Sequence, residues 1–356
     1  MRLDQLTFSR FIAAIAVVIY HFGLEVYPFN LKELYPFFKQ GNIAVSYFFL
    51  LSGFIMIIAY HQYKKVAFLA YIKNRFARIY PVYFLALLIL LVFKLRYHND
   101  GEFGDFFLNL VMIQSWFPGK ALSFNFPAWS LGVEFFFYAL FPLLFNRYYA
   151  QFSLKKLCFM VIPFFITSQL LFHWGMYSNW YHGYPSKSHE LLFYFPPMHL
   201  SEFLIGNLAG LFFVKRWSTA KKNYDFLILS FVCLLPAILY YNIYFEFHNG
   251  LLALVFIPLI VCISMNEGIL SKISAYKPLI FLGEISYGIY ILQSPIFAWT
   301  KAILKDYNIN NETTKFYISL LILVVIAALS YQFIEAPLRK IIKKISIQKI
   351  IKNELL

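Results

Sequence analysis

Ten apolar runs recur along this 356-residue chain, at about 6–24, 42–60, 79–95, 128–146, 157–174, 198–214, 225–241, 250–265, 279–300 and 316–335. Each is close to the ~20 residues with which a helix crosses ~30 Å of hydrocarbon. A chain written this way is expected to be all-α, a polytopic transmembrane helical bundle of about ten spans. Composition agrees: 61% of residues are hydrophobic and 13% charged, where an average soluble domain has about a quarter charged.

The charge pattern orients the spans. Net charge is +14, which in a soluble chain would suggest nucleic acid. Here, of 31 Lys and Arg, the alternate loops, the N-terminus and the tail beyond 338 hold 21, the opposite loops nine, and Arg10 lies within the first span. That asymmetry predicts both termini in the cytoplasm and excludes nucleic acid as a partner. Arg10 interrupts what would be the apolar core of a signal peptide, so none is expected. Cys158, Cys233 and Cys262 fall in three different runs without metal-type spacing and read as packing residues. The expected organisation is a membrane domain over 1–338 and a basic amphipathic cytoplasmic tail over 339–356.

Two segments on the outer side are long, about 96–127 and 175–197. In the first, Phe106–Trp116 is expected to form an interfacial helix. The second holds Trp180, Tyr181, His182, Tyr184 and His189. Such rings stack on sugars, yet they also make up a membrane-interface belt, and the belt is the reading preferred from sequence.

Polar groups inside apolar runs cost about 2.5–3.5 kcal/mol each on insertion scales, so they point to function. Arg10 and His21 share the first run. Eleven residues at ~100° each come to about three turns plus 20°, so both lie on one helix face, about 16 Å apart along its axis. A cation near one surface and a titratable imidazole deep in the bilayer suit a bound anion whose reactive end reaches inward. Arg75 and Arg78 share a face ahead of the third span, where two guanidiniums can clamp phosphate oxygens; positive-inside decoration is the alternative. Glu134 lies in an aromatic run and needs a cation, a histidine or its own proton as partner. Trp129 and Ser130 are expected to offer a flat surface and a hydroxyl at the outer mouth. Glu202, Glu284 and Glu335 read as structural. No nucleophile elbow, P-loop, dinucleotide fingerprint or paired-His zinc helix occurs.

Taken together, these stretches resemble acyltransferase family three, the integral-membrane enzymes that O-acylate cell-surface glycans. Arg10 through His21-Phe22 is similar to the family's Arg, ten residues, His motif. Tyr47-Phe-Phe-Leu-Leu-Ser-Gly53-Phe is similar to its second-helix signature. Arg75 through Pro81 resembles Arg-x-x-Arg-Ile-Tyr-Pro, and Pro127 through Phe135 its Trp-Ser-Leu-x-x-Glu stretch. Ser286-Tyr-Gly-Ile-Tyr290 and Phe333-Ile-Glu-Ala-Pro337 resemble its last two helices.

The resemblance implies ten helices in a bacterial inner membrane, with His21 catalytic as general base or acyl carrier. It implies acetyl-CoA as an acyl-CoA co-substrate drawn from the cytoplasm and roles for Arg10, Arg75 and Arg78 in holding it. No permanently bound cofactor is expected. Glu134 would orient or charge-balance the histidine, and Trp129 and Ser130 would face the acceptor, a hydroxyl of a surface or lipid-linked glycan such as lipopolysaccharide O-antigen. Many members carry a histidine where this chain has Gln293, and some add a soluble hydrolase-like domain absent from this sequence. A homo-oligomer or a separate extracytoplasmic partner is therefore left open. The rival reading is a transporter or flippase of a lipid-linked glycan, which predicts inverted repeats and helices broken at matching positions; neither is visible. A second rival is a membrane-bound O-acyltransferase of the other, unrelated fold, whose key histidine would be expected in the later half of the chain.

Overall fold

The structure, a computed structural model, describes residues 3–97, 103–241 and 245–344. The principal helices are α1 (Gln5–Phe22), α2 (Ile43–Tyr60), α3 (Phe68–Tyr97), α4 (Trp129–Leu144), α5 (Leu154–Met176), α6 (Leu200–Phe212), α7 (Asp225–Tyr240), α8 (Ala253–Met265), α9 (Lys277–Asp306), α10 (Glu312–Ser330) and α11 (Ala336–Lys344). No strand occurs among the described residues, only an isolated bridge between Lys222 and Asn266. Among the described residues, eight helical stretches are long and apolar enough to cross a membrane, and α7 and α8 are shorter apolar helices. The chain is a multi-pass membrane protein.

The ten apolar runs correspond to ten helical stretches, with differences where charge hides a helix end. The third run was expected from residue 79, but α3 begins at Phe68. A basic first half lowers hydropathy without weakening the helix, because Lys and Arg are good helix formers. Arg75 and Arg78 thus lie within α3, not before it. The interfacial helix expected over Phe106–Trp116 is two pieces, Phe103–Leu110 and a short turn at Gln114–Trp116. Met112 between them adopts φ +58°, a left-handed conformation that a continuous helix cannot contain. Of the expected tail helix, 339–344 forms the end of α11, and 345–356 lies outside the described residues.

The chain divides into two compact units, residues 1–63 with 152–286, and 64–151 with 287–356. In the first, α2 and α6 make the most extensive helix–helix contact. Their backbones touch through glycines: a Cβ on Gly206 would enter the Leu50 carbonyl, and one on Gly53 the Phe203 carbonyl. A Cβ on Gly210 would lie 2.8 Å from the Phe54 carbonyl oxygen. Lipid supplies no hydrophobic force between helices, so close backbone approach through small residues does the joining. Buried polar groups tie the ends together. Gln169 Nε2 donates to the Asn249 carbonyl (2.7 Å), and His199 Nδ1 meets Glu202 Oε2 at 2.6 Å. On the other side of α5, Phe159, Leu170 and Trp174 stand exposed, as residues facing lipid do.

In the second unit, α9 is fastened by polar aromatic side chains. The Tyr287 hydroxyl donates to the Ile79 carbonyl (2.8 Å) and Trp299 Nε1 to that of Ile89 (3.2 Å). The α11 helix packs against α3. It is reached from α10 through a wide, π-type turn at Tyr331–Glu335. Similar turns end α4 at Phe145–Tyr149 and α6 at Phe213–Trp217.

Candidate active site

The first unit carries Arg10 and His21, both half-buried on α1. His21 sits in the last turn, its ring 5.1 Å from that of Tyr20 and 6.1 Å from that of Phe22. Arg10 is close enough to Tyr47 for its charge to act on that phenol, whose hydroxyl shares a short hydrogen bond with Ser9. Tyr47 also packs edge-on against Phe256 at 5.4 Å. Polar side chains therefore run along α1 at two levels, Ser9–Arg10 and Tyr20–His21.

An apolar cavity of about 490 Å³ opens on α1, lined by Ser9, Ile12, Ala13 and Ala16 together with residues of α2, α7 and α8. Arg10 and His21 do not line it. At 100° per residue its α1 lining faces roughly 140° away from them. Its chemistry is that of a largely hydrocarbon slot that Tyr47 borders but Arg10 and His21 do not.

The second unit carries Arg75, Arg78, Glu134, Trp129 and Ser130. Arg75 and Arg78 are one turn apart on α3. The Arg75 guanidinium lies over the rings of Tyr71 (5.3 Å) and Tyr138 (5.8 Å), cation–π contacts that Arg makes more often than Lys. One turn along α4, the Tyr138 hydroxyl donates a short hydrogen bond to Glu134 Oε1. Tyr138 is buried and within the electrostatic reach of Arg75, Arg78 and Glu134. It links the cations of α3 to the carboxylate of α4. Sequence patterning did not single it out, although its i, i+4 spacing from Glu134 was visible.

Trp129 and Ser130, expected at a mouth, are each only 5% exposed. Ser130 Oγ and the Tyr290 hydroxyl lie 2.8 Å apart and each 3.1 Å from the Pro127 carbonyl oxygen, so one hydroxyl donates to the other while that one donates to the carbonyl. The Trp129 carbonyl accepts from Ser115 Oγ (2.7 Å). These contacts pin the start of α4 to α9 instead of presenting groups outward. Gln293, where many relatives were expected to have histidine, is fully buried, and its Nε2 donates to the Tyr290 carbonyl (2.6 Å).

Two further cations join the α3 pair. Arg339 and Lys343, one turn apart on α11, lie within electrostatic reach of both Arg75 and Arg78; the carboxylate acting on Arg339 is that of Glu335. More than two hundred residues of sequence separate the two pairs, so only the packing of α11 on α3 unites them. Four cations gathered this way repel one another.

The structure is thus a multi-pass helical protein with a histidine in the last turn of its first helix and an arginine pair inside its third. The chain is a member of acyltransferase family three, whose description, an acyltransferase domain, matches residues 3–332. Acyltransferase MdmB of Streptomyces mycarofaciens is 30% identical over 230 residues, covering 59% of this chain and 57% of its own. Peptidoglycan O-acetyltransferase OatA of Listeria monocytogenes is 26% identical over 364 residues, covering 93% of this chain and 55% of its own. O-acetyltransferase OatA of Staphylococcus aureus is 23% identical over 370 residues, with 93% and 56% covered. The chain thus spans little more than half the length of these relatives. No solved structure matches it.

Proposed function

We propose that the protein is a membrane-embedded O-acyltransferase that moves an acetyl group from acetyl-CoA to a hydroxyl of a bacterial surface polysaccharide. The observation that carries this reading is the alignment of Arg10 and His21 on α1. The relatives named O-acetyltransferases support it, one of them a peptidoglycan O-acetyltransferase. Lipopolysaccharide O-antigen is an acceptor of the same chemical kind. The reading places the protein in the inner membrane with both termini in the cytoplasm, so α1 runs outward and ends at His21.

In this reaction Arg75, Arg78, Arg339 and Lys343 hold the phosphates of the donor at the cytoplasmic side. Charge-assisted contacts of this type contribute about 1.5–3 kcal/mol each. Glu134 and Tyr138 keep the α3 cations in place. Arg10 lies on the same α1 face as His21, about 16 Å along the axis, a distance of the order of the pantetheine arm. His21 acts as general base: a ring nitrogen accepts the proton of the acceptor hydroxyl as that oxygen attacks the thioester carbonyl. The C–S bond then breaks, the thiolate of CoA leaves, and the imidazolium returns the proton to sulfur.

The test is transfer from labelled acetyl-CoA to surface glycan in proteoliposomes, wild type against His21→Ala. General-base assistance is worth about 10²–10⁴-fold, so the variant is expected to keep no more than about one per cent of the rate while still binding CoA. Substantial residual transfer removes His21 from the mechanism. Mass spectrometry of the host's glycans with and without the gene identifies the acyl group and the sugar that receives it.

A further inference from the structure

Around the C-terminal end of α1 the first unit brings together phenol, imidazole and carboxylate side chains from three separate segments. Tyr20, adjacent to His21, is within electrostatic reach of Tyr184 and Glu246. Tyr194 is within reach of Tyr20, Tyr181, Tyr184 and Glu190. The Tyr181 hydroxyl and His189 Nδ1 are 2.9 Å apart, and the His189 ring lies flat on Phe193 at 4.1 Å and 10°. Four phenols, an imidazole and two carboxylates thus converge on one place.

This cluster is built, not incidental. Ser186 caps the helix Lys187–Phe193 by accepting from the His189 N–H (3.1 Å), and Ser188 Oγ accepts from that of His182 (3.0 Å). The Phe193 carbonyl accepts from both His199 Nε2 (2.9 Å) and His248 Nε2 (3.1 Å), and Asn249 Nδ2 donates to that of Leu192 (3.0 Å). Glu246 Oε1 accepts from the N–H groups of Phe247 (3.1 Å) and His248 (3.2 Å). Burial raises its pKa above the usual carboxylate value. Tyr20, Tyr181, His189, Glu190, Tyr194 and Glu246 are all half-buried, and Tyr184 is 66% exposed.

An interface belt spreads rings around a protein at headgroup depth, each with its polar edge in water. Trp174, Tyr177 and Trp180, at 73%, 72% and 50% exposure, fit that description. The converging phenols and carboxylates do not, since a belt has no use for carboxylates directed at its tyrosines. We propose that this cluster is the subsite for the acceptor sugar. The C–H face of a pyranose ring lies against the tyrosines while its hydroxyls donate to Glu190 and Glu246, leaving one hydroxyl toward His21. The proposal rests on the acyl-transfer reading and on the orientation that places this end of α1 outside.

The experiment uses the full chain in proteoliposomes, labelled acetyl-CoA, and oligosaccharides released from the host's own surface polysaccharide. Three variants are compared with wild type: Tyr184→Ala, Glu246→Gln and Tyr194→Phe. Loss of a hydrogen bond to a charged group corresponds to roughly ten- to hundredfold, so Glu246→Gln is expected to raise the KM for the oligosaccharide by about tenfold or more. Tyr184→Ala is expected to raise it severalfold, and neither is expected to change CoA affinity or thermal stability. The mostly exposed Tyr184 keeps the test sound should Glu246→Gln disturb folding. Unchanged acceptor KM in all three variants of an active enzyme overturns the subsite and returns these rings to the belt, with the acyl-transfer reading intact. A wild type that moves acetyl to no sugar overturns that reading and the subsite together.

Discussion

Neutralising Arg339 separates a cation kept for a ligand from one kept for the fold, because the two roles predict opposite signs. Two unit charges about 10 Å apart at an effective dielectric of ~20 repel by roughly 1.7 kcal/mol. Arg339 feels such repulsion from Arg78 and Arg75, partly offset by Glu335. It is half-buried, and solvent and salt reduce each contribution to about a few tenths of a kcal/mol. Arg339→Gln should therefore leave the thermal midpoint of the CoA-free protein unchanged or slightly higher. CoA binding should weaken, since one charge-assisted phosphate contact is worth about 1.5–3 kcal/mol, or roughly ten- to hundredfold. Titration calorimetry in detergent at two salt concentrations measures this, and 3′-dephospho-CoA reports which phosphate is lost. The double variant Arg339→Gln/Lys343→Gln should fall further and show a shallower salt dependence. A lower thermal midpoint with unchanged CoA affinity would refute phosphate holding by these cations and make α11 a structural strut.

Two more outcomes follow from single contacts. Glu134→Gln keeps the shape that Tyr138 bonds but loses the negative charge that Tyr138 donates to; turnover should fall about tenfold or more with expression and melting unchanged, and a parallel loss of stability in a thermal-shift assay makes the residue structural. His248, in the connection before α8 and outside the spans, is held to a pKa of about 3, chiefly by burial. Because its folded pKa lies below its unfolded value of ~6.5, the unfolded chain binds more protons between those limits, and stability should decline as pH drops from about 6.5 toward 3. His248→Gln should flatten that slope in pH-dependent melting, and a slope unaltered by the substitution assigns the acid sensitivity elsewhere.

Apolar runs near membrane length announced the helices of this fold, and basic side chains hid where some begin. At α3 the charges of Lys73, Arg75 and Arg78 belong to the helix itself, so a hydropathy boundary falls about three turns late. The Arg10–His21 face was legible because both lie on one helix, where periodicity fixes direction. The links between Tyr138 and Arg75, and between Arg339 and Arg78, depend on which helices pack together, and no local pattern carries that. Ser130 shows the opposite failure: a hydroxyl at the start of a span looks available from sequence, yet Tyr290, 160 residues away, occupies it. The aromatic segment before α6 looked like a belt because sequence displays its rings in a row. Only the return of the chain at Glu246 and the end of α1 at Tyr20 make them converge.

The glycine seam between α2 and α6 also sets an order of assembly. During synthesis α2 enters the membrane long before α6, with α3, α4 and α5 inserted between them. Until Gly206 and Gly210 arrive, the face of α2 that carries Gly53 has only lipid against it. The seam between α2 and α6 therefore cannot close until more than half of the chain has been made. A ribosome stalled before α6 would leave the glycine face of α2 unpacked and open to membrane proteases. Synthesis past residue 210 would shut that window in one step, so protease sensitivity of nascent chains should change abruptly with length.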